Sequence, residues 1–177
     1  MRLVILDRDG VINQESDAYI KTPEEWIPIP GSLEAIARLS KAGYTVVVAS
    51  NQSGVGRGLF SLDTLAAING RMRRAVEAAG GKLDGIFFCP HAPDERCDCR
   101  KPKIGLFKQI AERYKVDLKG VPMIGDSGRD LAAARAAGAR PILVMTGRGL
   151  QTLENEPDAE VYTDLAAAVA HILKEIH

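Results

Sequence analysis

The strongest constraint on the fold is a regular alternation between short apolar runs and longer amphipathic stretches. Residues 3–6 and 44–50 are two of the apolar runs, rich in branched side chains and without alternating polar positions. Continuous runs of this kind are typical of strands buried on both faces, as in parallel sheets. Because they alternate with helical patterns, the sequence predicts βαβ units and an α/β fold with a doubly wound parallel sheet.

The predicted elements nearly exhaust the chain. The predicted strands cover residues 3–6, 44–50, 85–88, 121–124 and 141–145, with a short sixth strand at 160–162. The predicted helices cover residues 32–42, 62–79, 104–114, 130–137 and 165–176. Ser32 and Ser61 are the expected N-caps of the first two helices. We therefore expect a single Rossmann-like, three-layer α/β/α domain over residues 1–177, without a cap domain.

The composition indicates which binding partners and which cellular compartment to expect. The chain has 46% hydrophobic and 26% charged residues, with 23 basic and 23 acidic side chains, so its formal net charge is zero. A neutral chain is a poor candidate for broad binding to nucleic acid or anionic membranes. It also lacks an apolar run of about 20 residues and a recognisable signal peptide. We expect a cytoplasmic monomer that acts on a small molecule.

The cysteines form a metal-binding pattern within one short loop. Three cysteines are an odd number, and chains of the cytoplasm rarely carry a disulfide framework. Three thiolates and one imidazole are instead the ligand set of a closed, structural zinc site. The expected zinc ligands are Cys89, His91, Cys97 and Cys99. The alternative is a set of free thiols beside a surface histidine.

The expected zinc loop spans residues 89–101 and ends in Arg100 and Lys101. One interpretation is that these two cations merely offset the negative charge of a zinc–thiolate centre. The interpretation we favour is that zinc stiffens a loop with few apolar residues and so holds both cations over the strand ends.

Polar residues follow three of the predicted strands. Asp7 ends the first strand, Ser50 and Asn51 end the second, and Asp126 follows the fourth. Ligands of open parallel sheets bind beyond the carboxyl ends of the strands, so these groups are expected to converge. Carboxylates at such a place can attack phosphorus and bind Mg²⁺, which indicates phosphoryl transfer.

Four short motifs resemble those of the haloacid dehalogenase-like (HAD) phosphotransferases. Residues 7–11 (DRDGV) resemble the first motif, Ser50 the second, Lys101 the third and residues 125–130 (GDSGRD) the fourth. The zinc loop and residues 50–58 are similar to the histidinol-phosphatase subclass. Within it, the resemblance is greatest to the phosphatases of D-glycero-D-manno-heptose 1,7-bisphosphate.

The resemblance implies a role for each matched residue. Asp7 is the expected nucleophile and a Mg²⁺ ligand, and Asp9 is the expected general acid and base, which also binds Mg²⁺ through its carbonyl. Ser50 and Lys101 are expected to stabilise the phosphoryl group, and Asp126 to complete the Mg²⁺ ligands. The expected substrate contacts are Ser16, Asp17, Ala18, Tyr19, Asn51, Gln52, Ser53, Arg100, Lys101 and Ser127.

The resemblance therefore implies hydrolysis of the 7-phosphate of a heptose 1,7-bisphosphate through an aspartyl-phosphate. It places the chain in the synthesis of nucleotide-activated heptose for lipopolysaccharide. Histidinol phosphate is the alternative substrate within the same chemistry, and a DNA 3′-phosphate is a further one that the neutral charge disfavours. An alternative of another class is a zinc-stabilised binding module without turnover.

Overall fold

A six-stranded, wholly parallel sheet forms the centre of the molecule in a computed structural model that describes residues 1–176. The strand order is β3-β2-β1-β4-β5-β6. The strands are β1 (Arg2–Leu6), β2 (Tyr44–Asn51), β3 (Gly85–Cys89), β4 (Pro122–Gly125), β5 (Arg140–Val144) and β6 (Val161–Tyr162). The parallel sheet predicted from the apolar runs is confirmed. The chain order reverses beside β1, and this is where an open α/β sheet forms a crevice.

Helices cover both faces of this sheet. They are α1 (Ser32–Lys41), α2 (Leu62–Ala78), α3 (Gly105–Tyr114), α4 (Gly128–Ala136), α5 (Gly149–Asn155) and α6 (Leu165–Lys174). The apolar sides of α1, α2 and α6 share one buried cluster, and those of α3 and α4 share the other. The predicted three-layer α/β/α architecture is confirmed. Across residues 1–176, no helix combines the length and apolarity needed to cross a bilayer.

The central strand shows why the apolar runs lack alternation. Val4 and Leu6 enter the cluster beneath α1, α2 and α6, whereas Leu3 and Ile5 enter the cluster beneath α3 and α4. All four side chains are at most 3% exposed. Each such burial contributes about 1.5–3 kcal/mol relative to an exposed side chain, so successive apolar residues stabilise opposite layers.

The two expected N-caps differ. Ser61 does cap α2, because its side chain accepts a hydrogen bond from the Thr64 N–H. Ser32 was wrongly expected to cap α1. Gly31 occupies the N-cap with φ +89°, and Ser32 is the first helical residue. The Ser32 hydroxyl instead donates to the carbonyl of Val11 at 2.8 Å, which ties the loop after β1 to the helix.

Helix α5 was not predicted from the sequence. Its first residue is Gly149, and the two glycines at 147 and 149 favour a loop on propensity alone. Packing explains the glycine, because a Cβ at Gly149 would collide with the carbonyl oxygen of Val144. Thr152 in this helix donates to the carbonyl of Asp126 at 2.8 Å, so α5 supports the end of β4.

The long segment between β1 and α1 is irregular but anchored. Val11, Ile12, Ile20 and Trp26 are each buried in the cluster with α1, α2 and α6. Trp26 is 1% exposed and packs inside this cluster. This anchoring leaves residues 14–19 exposed or half-buried beside the carboxyl ends of the strands.

Candidate active site

A cavity of about 270 Å³ opens at the carboxyl ends of the central strands. It brings together most of the residues that the sequence indicated. Among these, the lining includes Asp7, Asp9, Ser16, Asp17, Tyr19, Asn51, Gln52, Ser53, Arg100, Lys101, Asp126 and Ser127. It also includes Asp130, the last residue of the fourth motif, which the resemblance implies to brace the site. Four further lining residues were not among the predicted site residues: Glu15, Arg57, Arg129 and Arg148.

Asp7 stands at the end of the central strand and is largely buried. Its N–H donates to the carbonyl of Ile124 at 3.0 Å, which fixes the backbone against β4. Its Oδ1 accepts from the Arg8 N–H at 2.8 Å and from Lys101 Nζ at 3.2 Å. Both donors bind the same oxygen, so Oδ2 is left available. Burial raises the pKa of Asp7 and the nearby Asp130 carboxylate raises it further, whereas Lys101 opposes both.

Lys101 is a buried ammonium with every N–H bound to the protein. Its Nζ donates to the Asp130 Oδ1 at 2.6 Å, to the Ala49 carbonyl at 2.8 Å and to Asp7. Burial lowers the pKa of Lys101, but the carboxylates of Asp130 and Asp7 outweigh it and leave the pKa raised. An ammonium has three donors. Lys101 therefore braces the Asp7 carboxylate, and it can contact a phosphoryl oxygen only by exchanging one of these bonds.

The carboxylates around Lys101 carry more negative charge than it can neutralise. Oxygen atoms of Asp7, Asp126 and Asp130 lie within 4.8 Å of one another. Burial raises the pKa of Asp126 to about 7, and repulsion from Asp130 adds to this effect. For Asp130 burial also acts to raise the pKa, but Lys101 outweighs it and leaves the pKa lowered. Such an oxygen-rich, unneutralised cluster fits a hard divalent cation such as Mg²⁺.

Two glycines enclose the Asp126 carboxylate. A Cβ at either Gly10 or Gly147 would collide with Asp126 Oδ2. Gly10 has φ +85° and Gly147 has φ +57°. Thr146 donates to the Gly10 carbonyl at 2.6 Å, and the Arg148 N–H donates to Asp126 Oδ2 at 3.0 Å. The loop after β5 thus closes over Asp126 and fixes the orientation of its carboxylate.

Asp9 is turned toward Arg8 and Asn13. Its Oδ1 accepts from Arg8 Nε at 2.8 Å and from Asn13 Nδ2 at 3.0 Å. Burial acts to raise the pKa of Asp9, but the charge and hydrogen bonds of Arg8 prevail and lower it. Asp9 is therefore held ionised by a neighbour that follows Asp7 directly in the sequence.

Arg8 extends this network beneath the cavity. It is 1% exposed and donates to Asn69 Oδ1 and Gln52 Oε1, each at 3.1 Å. Gln52 Nε2 in turn donates to the Ser50 hydroxyl at 2.8 Å. Since the Ser50 oxygen accepts this bond, its own O–H is free to act as a donor. Arg8 and Asn69 were missed because an arginine between two aspartates, or an asparagine within a helix, carries no distinctive spacing.

Three predicted substrate or phosphoryl contacts are placed differently. Ala18 does not line the cavity; it is exposed, and its carbonyl accepts from Lys21 Nζ at 2.8 Å. Ser50 is 3% exposed and does not reach the cavity surface. Ser127 does line the cavity, but it is the N-cap of α4 in a reciprocal capping box with Asp130, which occupies its hydroxyl.

Arginines form the outer wall of the cavity. Arg100 Nη1 is buried and has no hydrogen-bond partner within the described residues. Burial lowers the pKa of Arg100, and the guanidinium groups of Arg129 and Arg57 lower it further. Arg148 forms an ion pair with Glu15 across the cavity mouth. Arg100 thus lies in a positive environment that would be stabilised by an anion.

The four predicted zinc ligands converge in one cluster. Cys89 Sγ lies 3.4 Å from His91 Nδ1, 3.7 Å from Cys97 Sγ and 2.8 Å from Cys99 Sγ. His91 Nδ1 lies 3.3 Å from Cys99 Sγ. Ligands bound to one tetrahedral zinc are separated by roughly 3.3–3.8 Å, so three of these four separations match. The cluster fits zinc in ligand type, number and approximate spacing.

Glycines allow the cysteine loop to dock closely. A Cβ at Gly56 would lie 2.5 Å from the Ala92 nitrogen, and one at Gly105 would collide with the Asp98 carbonyl oxygen. The Gly56 N–H donates to the Pro90 carbonyl at 2.8 Å. The loop is thus held between the segment after β2 and the start of α3.

Comparisons with known proteins identify the family of this chain. A family model for HAD-hydrolase-like proteins matches residues 98–168. A D-glycero-beta-D-manno-heptose-1,7-bisphosphate 7-phosphatase of Pseudomonas putida is 58% identical over 174 residues, which cover 98% of this chain and 99% of the relative. The chain belongs to the HAD-like phosphatase family. A relative of the same name from Vibrio cholerae is 38% identical and covers 98% of this chain and 96% of its own.

A solved structure supports membership of the HAD-like phosphatases in three dimensions. The D,D-heptose 1,7-bisphosphate phosphatase of Bordetella bronchiseptica, complexed with magnesium and phosphate, is 56% identical and has a TM-score of 0.96. The match covers 99% of both chains. The Rossmann-type sheet predicted from the apolar runs and the phosphatase class implied by the four motifs are therefore confirmed.

Replacing Gly10 with alanine tests the enclosure of Asp126. Gly43 is the matched control, because it has φ +87° and a Cβ placed there would meet nothing within 4 Å. Gly43→Ala should lower the free energy of unfolding by about 1 kcal/mol through left-handed strain, and Gly10→Ala should lower it by more, because its Cβ also collides with Asp126. Only Gly10→Ala should also lower phosphate release, roughly 100-fold, because it displaces a carboxylate. Chemical denaturation measures the free energy of unfolding, and an aryl phosphate assay measures phosphate release. Equal phosphate release by Gly10→Ala and Gly43→Ala would show that Asp126 tolerates displacement.

Proposed function

We propose that this chain is a Mg²⁺-dependent phosphatase that removes the 7-phosphate of D-glycero-beta-D-manno-heptose 1,7-bisphosphate, in the synthesis of nucleotide-activated heptose for lipopolysaccharide. The observation that carries the chemistry is the buried Asp7–Lys101 pair beside the Asp126 and Asp130 carboxylates. The substrate is inferred from relatives of that name at 50–58% identity. We further propose a monomeric, cytoplasmic, single-domain enzyme that engages neither nucleic acid nor membrane.

In the first half of the proposed reaction, a carboxylate oxygen of Asp7 attacks the phosphorus of the 7-phosphate. The bond from phosphorus to the sugar oxygen breaks, an aspartyl-phosphate forms, and Asp9 gives its proton to the departing oxygen. Both oxygens of Asp9 are engaged by Arg8, at 2.8 and 3.4 Å, so Asp9 must leave Arg8 to reach the sugar. Leaving the guanidinium removes the interaction that lowers the pKa of Asp9. Asp9, which Arg8 otherwise holds ionised, then takes up a proton from solvent before it donates that proton to the sugar oxygen.

In the second half, Asp9 takes a proton from water, and the water oxygen attacks the phosphorus of the aspartyl-phosphate. The Asp7 carboxylate is released together with inorganic phosphate. Lys101 holds Asp7 in place throughout. The Ser50 hydroxyl is the proposed donor to a phosphoryl oxygen, and because Ser50 lies just outside the cavity lining, this contact requires the end of β2 to shift toward the bound phosphate. Asp7, Asp126 and the Asp9 carbonyl would hold Mg²⁺. When bound, the cation supplies positive charge that ionises the carboxylates and offsets the charge of the phosphate.

The arginine wall is the proposed site of the second phosphate. The unpartnered Nη1 of Arg100, with Arg57 and Arg129 beside it, provides donors and charge for a dianion. A bisphosphate can thus place one phosphate at Asp7 and the other at this wall. Two of the predicted contacts lie against Arg57. Its guanidinium carbon is 6.0 Å from the centre of the Tyr19 ring, and its Nε donates to the Ser53 hydroxyl at 3.3 Å. Ser16, Asp17 and Gln52 complete the proposed substrate wall.

We also propose that Cys89, His91, Cys97 and Cys99 hold one structural zinc. Four protein ligands leave no open position, so this centre would take no part in the chemistry. Arg100 and Lys101 follow the last ligand directly, and a rigid loop keeps both in place without a loss of entropy at each turnover.

The function is tested by measuring phosphate release with Mg²⁺ from several substrates. We expect kcat/KM to be at least about tenfold higher for the β than for the α anomer of heptose 1,7-bisphosphate, and lowest for histidinol phosphate and a 3′-phosphorylated oligonucleotide. Asp7→Asn should abolish release, because the amide cannot attack phosphorus, while the chain stays folded by circular dichroism. Turnover by Asp7→Asn would exclude this nucleophile, and a preference for histidinol phosphate would favour the alternative substrate.

Arg100→Ala tests the second phosphate site, with Arg96→Ala as a control in the same loop. Arg96 is exposed and does not line the cavity. Arg100→Ala should raise KM for the bisphosphate roughly 10- to 100-fold, because it removes a charge-assisted contact. The effect on an aryl phosphate should stay within about threefold, because that substrate has no second phosphate. Equal losses for both substrates would contradict recognition and indicate displacement of Lys101.

Zinc removal tests the structural centre. We expect about one zinc per chain by elemental analysis and none in Cys97→Ser, whose activity should fall roughly tenfold or more while far-ultraviolet circular dichroism is retained. Full activity of zinc-free Cys97→Ser, or of wild-type protein after verified loss of zinc, would reject the positioning role.

A further inference from the structure

We propose that Asn51 is a positioning residue that holds the backbone of Lys101 against the sheet, rather than a contact to the substrate. The proposal rests on the phosphatase function above and adds a residue whose part in it is indirect. Asn51 lines the cavity, but both polar atoms of its side-chain amide are already bound.

The Asn51 amide pairs with a single residue. Its Oδ1 accepts from the Lys101 N–H at 2.9 Å, and its Nδ2 donates to the Lys101 carbonyl at 3.1 Å. The amide therefore satisfies the N–H of the peptide bond before Lys101 and the carbonyl of the peptide bond after it. This is the pairing that a neighbouring strand would otherwise provide.

The position of this pair at the end of the sheet explains why it is needed. The ladder between β2 and β3 ends where Asn51 lies opposite Cys89. The chain then leaves the sheet through the cysteine loop and returns at Lys101, fifty residues after Asn51. Lys101 belongs to none of the six strands, so no strand pairing holds its backbone. The Asn51 side chain provides these two hydrogen bonds instead.

Both the backbone and the ammonium group of Lys101 are thus bound to strand β2. Its peptide is bound by Asn51, and its ammonium is bound by the carbonyl of Ala49, two residues earlier in β2. The side chain spans this distance and presents Nζ to Asp7 and Asp130. If Asn51 were shortened, the peptide would lose both bonds, and the ammonium would shift relative to the nucleophile.

A positioning residue and a substrate contact differ in which substrates lose activity when the residue is changed. A group that touches the sugar or the second phosphate matters only for substrates that have them. A group that positions Lys101 acts at the reacting phosphate, which every substrate shares. It also has no effect once the Lys101 ammonium is removed, because its action passes through that ammonium.

The test is a double-mutant cycle with Asn51→Ala and Lys101→Met, assayed with heptose 1,7-bisphosphate and with p-nitrophenyl phosphate. We expect Asn51→Ala to lower kcat by roughly 10- to 100-fold with both substrates and to change KM by less than about threefold. In the Lys101→Met background, Asn51→Ala should lower kcat by less than about twofold further. Ser53→Ala is the comparison on the same wall; its hydroxyl is bound by Arg57, and it should affect only the bisphosphate.

Several outcomes would overturn the proposal. Full activity of Asn51→Ala, a loss confined to the bisphosphate, or independent losses that multiply in the double variant would each exclude positioning. Zinc content is measured for every variant, because a loss of zinc in Asn51→Ala would attribute the effect to the loop as a whole. Wild-type protein that releases no phosphate from either substrate would instead refute the proposed function, so the two failures are distinguishable.

Discussion

The bond network of the Lys101 ammonium is the interaction on which the site depends. It joins the carbonyl of Ala49 in β2, the carboxylate of Asp7 after β1 and that of Asp130 in α4. A buried charge of this kind is tolerated only when it is paired and fully hydrogen-bonded. The Lys101 side chain therefore joins the end of β1, strand β2 and helix α4. This connection helps to fix the position of Asp7.

Much of this arrangement could be predicted from residue types and spacing. Branched apolar runs indicated the parallel sheet, and the position of Asp7, Asn51 and Asp126 at strand ends placed the site. The cysteine spacing predicted the metal-binding loop, and the resemblance of Lys101 to the third motif implied its place in the site. These signals are local or periodic, and they follow from burial on both sheet faces and from the ligand preferences of metals.

The remaining features depend on contacts between distant residues, which a single sequence does not contain. Arg8 looks like a surface charge beside two aspartates, yet it is buried against Asn69 and Gln52. Helix α5 has weak local propensity and forms because Thr152 and Gly149 fit against the sheet. Ser32 has the residue type of a cap, but tertiary packing uses its hydroxyl to hold the loop after β1.

The sequence separations within the Lys101 network have a consequence for biosynthesis. The ammonium reaches Asp7 across 94 residues and Asp130 across 29. A ribosome-bound nascent chain that has not yet released residue 130 cannot assemble this triad, even if its first two strands are already paired. Hydrolytic competence is thus acquired late in synthesis, and truncated translation products would be inert rather than partly active.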